Sequence, residues 1–253
     1  MIINEQKVKA AFASYTKNFN PEDPKIALKI SHTYRVAENS RAIASSLNMS
    51  EDDIEIAWLI GMLHDIGRFE QIERYGTFND SQSVDHGDFG ADLLFKEGLI
   101  RNYIDVRDYD AIIETAIRQH NKYRVCEGLN SRTEQFAHII RDADKVDIFR
   151  VQVEEPIIGI YGVPLEEIQK EFLSDAVFEQ FKEHTAILRE LKKCHLDYYV
   201  GHFSLAFELV YPCSRKLTKE QGYLEQLMEL KVEDPKTQER IDFIRAEINS
   251  CLE

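Results

Sequence analysis

The chain has 253 residues, enough for one large domain or a core with an extension, and 43% of them are hydrophobic while glycine (11) and proline (6) are sparse. That composition suits a helical globular protein and excludes a disordered or many-turned all-β chain. Against 45 acidic residues there are 31 basic ones, a formal charge of −14. Such a field repels nucleic-acid polymers and anionic membranes, but admits a small phosphorylated substrate if bound metal ions reverse the sign locally.

In chain order, a first helix is expected from about Lys7 to Thr16, followed by a break at Pro21 and Pro24. From Lys25 to Leu47 the stripe Val36, Ser40, Ile43, Leu47 has helical spacing, with His32 one turn upstream on the same side. Ser50 and Asp53 resemble a capping box opening a third helix, Glu51 to about Ile66. That helix is apolar nearly all round, so it is expected to be central, and it ends on the pair His64-Asp65. Residues Arg68 to Asp85 hold Gly76, Asn79, Asp80 and Ser81 and read as a surface loop over the site. Asp85 caps the next helix, which opens on His86 with Gly90 and Leu93 on its face. A further helix begins near Asp110, where Ile113, Ala116 and Ile117 share a face with His120. Thr133 to Phe149 carries the stripe Ala137, Ile140, Asp144, Ile148.

Two prolines and two glycines interrupt the pattern from Val153 to Pro164. About four more helices are expected beyond it, one of them the apolar stretch Tyr198 to Tyr211. The organisation read from this is a core over 1–152 and a helical extension over 153–253 packed on it. Cys126, Cys194, Cys213 and Cys251 are far apart and form no C-x-x-C, which reads as reduced thiols. The first residues, MIINEQKVKAAF, lack the blocks of a signal peptide, and the longest apolar run, Ile56 to Leu63, is too short for a bilayer. The expected location is the cytoplasm.

Asp144 on an apolar stripe, and His64-Asp65 at the end of an apolar helix, pose one physical problem. A buried, unpaired carboxylate costs several kcal/mol, so each needs a strong positive partner. Imidazoles and carboxylates are ligands that divalent transition metals prefer, and one buried metal cluster answers all of these anomalies together. A structural network of His–Asp hydrogen bonds is the plain alternative. Asp142 lies two positions, roughly 200° of helix rotation, from Asp144, and is expected to point off the apolar face.

The ordered set His32…His64-Asp65…Asp144, in the contexts LHDIG, H-x-x-x-G-A-x-x-L and ADKVD, resembles the HD superfamily of metal-dependent phosphohydrolases over about residues 25–150. The resemblance implies an all-α HD-type helical bundle around a buried metal centre. By it, His32, His64, Asp65 and Asp144 hold a first metal, and Asp65 bridges to a second held by His86 and His120. The cofactor is then one or two divalent transition-metal ions, and the ligand types suit Fe, Mn, Ni, Co or Zn. Asp65, Lys145 and Arg68 are the expected catalytic residues; Lys145 resembles a phosphate-contacting lysine of nucleotide-acting members, and Arg118 is a further candidate cation. His138, His184, His195 and His202 read as structural or surface residues.

Asn121 and the following KYRVCEGLN lack the GYP signature of cyclic-dinucleotide phosphodiesterases, and Thr33 departs from the His-Pro of alarmone hydrolases. Neither G-x-S-x-G nor a P-loop competes for the chemistry. The expected function is metal-dependent hydrolysis of a small phosphate ester or nucleotide, with no nucleic-acid polymer and no membrane as partner. Two other readings use the same residues: a di-iron oxygenase acting on a small polar substrate, and a non-catalytic regulatory module with a structural metal.

Overall fold

A computed structural model describes residues 3–253, and among them every regular element is helical. Among the described residues no helix is long and apolar enough to cross a membrane. The chain packs as two units that divide between Asp144 and Lys145. This division lies within one helix; the sequence reading sets it at that helix's end.

The first unit contains α1 (Glu5–Thr16), α2 (Pro24–Ser46), α3 (Glu51–Leu63), α4 (Ile66–Tyr75), α5 (His86–Phe95), α6 (Asp110–Gln119) and the start of α7 (Ser131–Glu154). Polar side chains cap the starts as their sequence suggests. Asp23 accepts from Lys25 N with Pro24 at the first helical position, Ser50 from Asp53 N, and Asp85 from Asp88 N. Everything from Ile56 to Leu63 in α3 is buried, as expected of a helix apolar on all sides.

Two backbone contacts set the helix crossings around the His64-Asp65 junction. A Cβ on Gly61 of α3 would lie 2.5 Å from Ala37 Cα in α2. A Cβ on Gly67 of α4 would lie 2.6 Å from His86 O and 2.7 Å from Gly90 N at the start of α5. Glycine is therefore required at 61 and 67 for these helices to touch main chain to main chain. The Tyr15 hydroxyl donates to Ile66 O (3.3 Å), and the Phe12, Tyr15, Phe19 and Phe69 rings pack edge to face or tilted beneath α4.

The structure corrects the expected 68–85 loop. Helix α3 ends at Leu63, the chain turns at Asp65, and α4 runs on through Tyr75. Ile66, Phe69 and Ile72 are buried along one face of α4 and Gly67 and Gln71 along another, so packing holds this stretch helical. The irregular part begins at Gly76, left-handed at φ 69°, and includes a short 3-10 turn over Asp80–Gln82.

The second unit has its own apolar core, built from Phe149, Phe181, Leu196, Phe203, Ile241, Ile244 and Ile248 among others. Its helices are α8 (Ile157–Tyr161), α9 (Leu165–Ile168), α10 (Asp175–Phe181), α11 (His195–Phe203), α12 (Pro212–Gln221), α13 (Tyr223–Leu227) and α14 (Pro235–Leu252). These are more numerous and shorter than the four expected. The single helix expected over Tyr198 to Tyr211 is also corrected: α11 stops at Phe203 and a 3-10 turn follows over Ser204–Glu208. Ser204 causes the break. Its hydroxyl donates to Gly201 O (2.7 Å) and accepts from Ile187 N (3.0 Å), which ties the chain away from the helical path.

Gly61→Ala should lower stability by ~1–3 kcal/mol in urea unfolding, because overpacking at a backbone contact outweighs the gain in helix propensity. Gly159→Ala, in α8 with open space around it, is the control and should be neutral or slightly stabilising. An unchanged midpoint for Gly61→Ala would contradict the tight α2–α3 crossing.

Candidate metal centre

Four of the six candidate ligands sit at helix ends and two lie within helices. His32 projects from the middle of α2, His64 stands at the C-terminal end of α3, and Asp65 occupies the turn into α4. His86 is the first residue of α5, His120 caps α6, and Asp144 lies in α7. All four histidines and Asp65 are buried, whereas the Asp144 side chain is 17% exposed.

Asp65 lies at the centre, and its two oxygens face different pairs of imidazoles. Oδ2 is 3.6 Å from His32 Nε2 and 3.5 Å from His64 Nε2. Oδ1 is 3.5 Å from His86 Nε2 and 3.8 Å from His120 Nε2. Asp144 Oδ1 lies on the first side, 3.0 Å from His32 Nε2 and 3.8 Å from His64 Nε2. Two trios, His32–His64–Asp144 and His64–Asp65–His120, have donor atoms mutually close enough to share an ion.

The hydrogen-bond partners fix which ring nitrogens carry lone pairs. His64 Nδ1 meets Gly61 O at 2.8 Å and His120 Nδ1 meets Ile117 O at 2.6 Å. A carbonyl only accepts, so both Nδ1 atoms donate and both Nε2 atoms present lone pairs. His86 Nδ1 faces the Asp80 carboxylate at 2.6 Å, which imposes the same tautomer. His86 Nε2 and His120 Nε2 then face each other, lone pair to lone pair, at 2.9 Å. His64 Nε2 is fully buried and makes no hydrogen bond among the described residues. Such an arrangement is stable only around a shared cation.

The His64 and His86 rings are poor places for a proton. Burial pushes His64 down to about 4 against the opposing pull of Asp65 and Asp144, and burial followed by the Arg68 charge pushes His86 to about 4. Both rings are therefore neutral at pH 7, the form that binds metals. Burial alone would raise the Asp65 carboxyl, but the Lys29 ammonium and the surrounding imidazoles hold it well below the usual carboxylate range. Asp144 is likewise kept ionised, against its burial, by the His32 contact. Four imidazole nitrogens and two carboxylates make a donor set that fits one or two divalent transition metals.

The other expected residues fall into two groups. Arg68 is at the site: its Nη1 donates to Gln71 Oε1 (2.7 Å), Phe78 O (2.6 Å) and Asp80 Oδ1 (2.8 Å), while its Nε lies 3.7 Å from Asp65 Oδ1. Lys145 follows Asp144 on α7 and is buried. Arg118 is elsewhere, bound to Asp88, Asp92 and Glu114 across α5 and α6. His184 pairs with Glu247, His195 with Glu171 and His202 with Tyr161, all within the second unit. Asp142 is a correction: it is fully buried rather than turned outwards, because α7 is enclosed on more than the one face its apolar stripe marks.

Three site residues escaped the sequence reading. Lys29 places its ammonium 2.6 Å from Asp65 Oδ2; its spacing of three from His32 puts it on the same side of α2, a signal available in hindsight. Asp80, read as a turn former, orients His86. Asn121, read only as a departure from a signature, donates to Asp85 Oδ1 (2.9 Å) and lies 3.3 Å from His86 Nδ1.

Asp144→Asn should strip the chain of metal while leaving its fold. Asp142→Ala should keep the metal but lower stability by ~1–3 kcal/mol, the loss expected when a buried polar group's partners are left unsatisfied. Elemental analysis paired with thermal unfolding separates the two, and metal loss in the Asp142 variant alone would overturn the assignment of Asp144.

Comparison with curated proteins and with solved structures gives no match. One family model does match: the HD domain, over residues 30–148. That span starts just before His32 and ends just beyond Asp144, so it encloses every side chain of the cluster. Over this stretch, 119 of the 253 residues, the chain matches the HD domain.

Proposed function

We propose that the protein is a metal-dependent hydrolase of a small phosphate ester or nucleotide. The observation that supports this reading most is the opposition of His86 Nε2 and His120 Nε2 at 2.9 Å beside Asp65 Oδ1, while His32 and His64 face Asp65 Oδ2. One carboxylate thus adjoins two nitrogen-lined positions, which suits a pair of ions bridged by Asp65, with His32, His64 and Asp144 on one side and His86 and His120 on the other. Bound there, divalent ions would supply an acidified water as nucleophile and offset the charge that develops on the phosphoryl oxygens.

The chain's own residues do the rest. Asp65 and Asp144 stay ionised at neutral pH and His64 and His86 stay neutral, so the donor set needs no proton rearrangement before use. Asp80 holds the His86 ring in orientation, and Arg68 holds Asp80 and the 76–80 segment in place.

Charge favours an anionic substrate of limited size. Three carboxylates (Asp65, Asp80, Asp144) face two cations (Lys29, Arg68) at the cluster. Two divalent ions would turn this small negative excess into a positive one, inside a chain whose remaining field repels polyanions. Protein loaded with Mn, Co or Ni and assayed without oxygen should release phosphate from a mononucleotide or sugar phosphate. Turnover that requires both iron and dioxygen, or efficient cleavage of long RNA or DNA with mononucleotides untouched, would overturn the proposal.

A further inference from the structure

Lys29 stands where a metal site would ordinarily exclude a cation. Its ammonium is 2.6 Å from Asp65 Oδ2, the oxygen that His32 and His64 also face, and its side chain is 17% exposed while that of Asp65 is 3% exposed. A lysine so close to the bridging carboxylate opposes any ion bound there by direct repulsion. Neutralising Asp65 is no sufficient reason for it, since the metal itself would do that. The repulsion is offset when the site also takes up an anion that the ammonium can reach.

Arg68 is less free to play that part. Its Nη1 is committed to Gln71, Phe78 O and Asp80, so its task is to hold the loop that orients His86. The two cations share the Phe78 ring: Lys29 Nζ lies 5.6 Å and the Arg68 guanidinium 5.5 Å from its centroid. Phe78 therefore presents its ring to the Lys29 ammonium beside Asp65, where the ammonium can turn towards a ligand.

We propose that Lys29 is the residue that anchors the substrate's phosphoryl oxygens, leaving Asp65 for the anion when the metal site is filled. The proposal rests on the phosphohydrolase reading above and adds to it the group that recognises the phosphate. It assigns the task to α2, not to Lys145 or Arg68.

The test measures inorganic phosphate binding to Mn-loaded full-length chain by calorimetry, with metal content measured on the same samples. Lys29→Met should weaken phosphate affinity about tenfold or more, the loss expected for a hydrogen bond to a charged group, while Mn is held as tightly as before or more tightly. Lys29→Arg, which keeps the charge, should recover most of the affinity and guards against a general effect of replacing the lysine. If Lys29 merely neutralised Asp65, Lys29→Met would lose Mn and phosphate together, and the proposal would fail. Phosphate bound equally well by wild type and Lys29→Met would also overturn it while leaving the phosphohydrolase reading intact. A wild-type chain that takes up Mn but no phosphate would sink that reading, and the role of Lys29 with it.

Discussion

Lone pairs buried face to face need a cation between them, and the first unit is arranged around that requirement. His86 and His120 bring their Nε2 atoms to 2.9 Å because Asp80 and Ile117 O occupy the opposite nitrogens. His64 is fixed in the same way by Gly61 O. Each of these three imidazoles is thus prepared by a partner on its far side, which sets tautomer and direction before any ligand arrives. Burial keeps His64 and His86 neutral, and Lys29 and the imidazoles keep Asp65 charged. The cluster is polar, buried and suited to a divalent ion.

That preparation depends on backbone placement more than on the ligands themselves. Gly61 lets α3 touch α2 at Ala37, which sets His64 against His32. Gly67 lets α4 touch the first turn of α5, which sets Asp65 against His86. A methyl group at either position would part the helices by tenths of an ångström or more, at a site where ligand distances are tight. The G in LHDIG is thus a packing requirement of the centre as well as part of its signature. Tyr15, bonded to Ile66 O and packed on Phe69, supports the same junction from the other side.

The cluster was legible in the sequence because its members break local rules. Asp144 interrupts an apolar stripe, and His64-Asp65 closes a helix with no other polar face, so both required a partner out of sight. The all-helical architecture followed from periodicity and sparse glycine, and the caps at Ser50 and Asp85 fell where they were expected. What escaped notice obeys local rules. Lys29 looks like any helix lysine, and Asp80 like any turn former, because their roles arise from contacts 36 and 6 residues away. Helix α4 was hidden by the turn formers that follow it. Asp142 was misplaced because a single stripe was taken to define the only buried face of α7, whereas Arg141, Asp142, Lys145, Asp147 and Arg150 are all buried there. In the second unit, the Ser204 hydroxyl ends α11 through a bond that hydrophobic patterning does not register.

We propose that His32, His64, Asp65, His86, His120 and Asp144 hold divalent metal without help from sulfur. Metal analysis of protein purified without chelator, joined to X-ray absorption at the edge of whichever metal is found, tests it most directly. The account predicts up to about two ions per chain, with a shell of nitrogen and oxygen only at about 2.0–2.2 Å. A chain that stays metal-free when offered Fe, Mn, Co, Ni and Zn, or a shell containing cysteine sulfur, would contradict it.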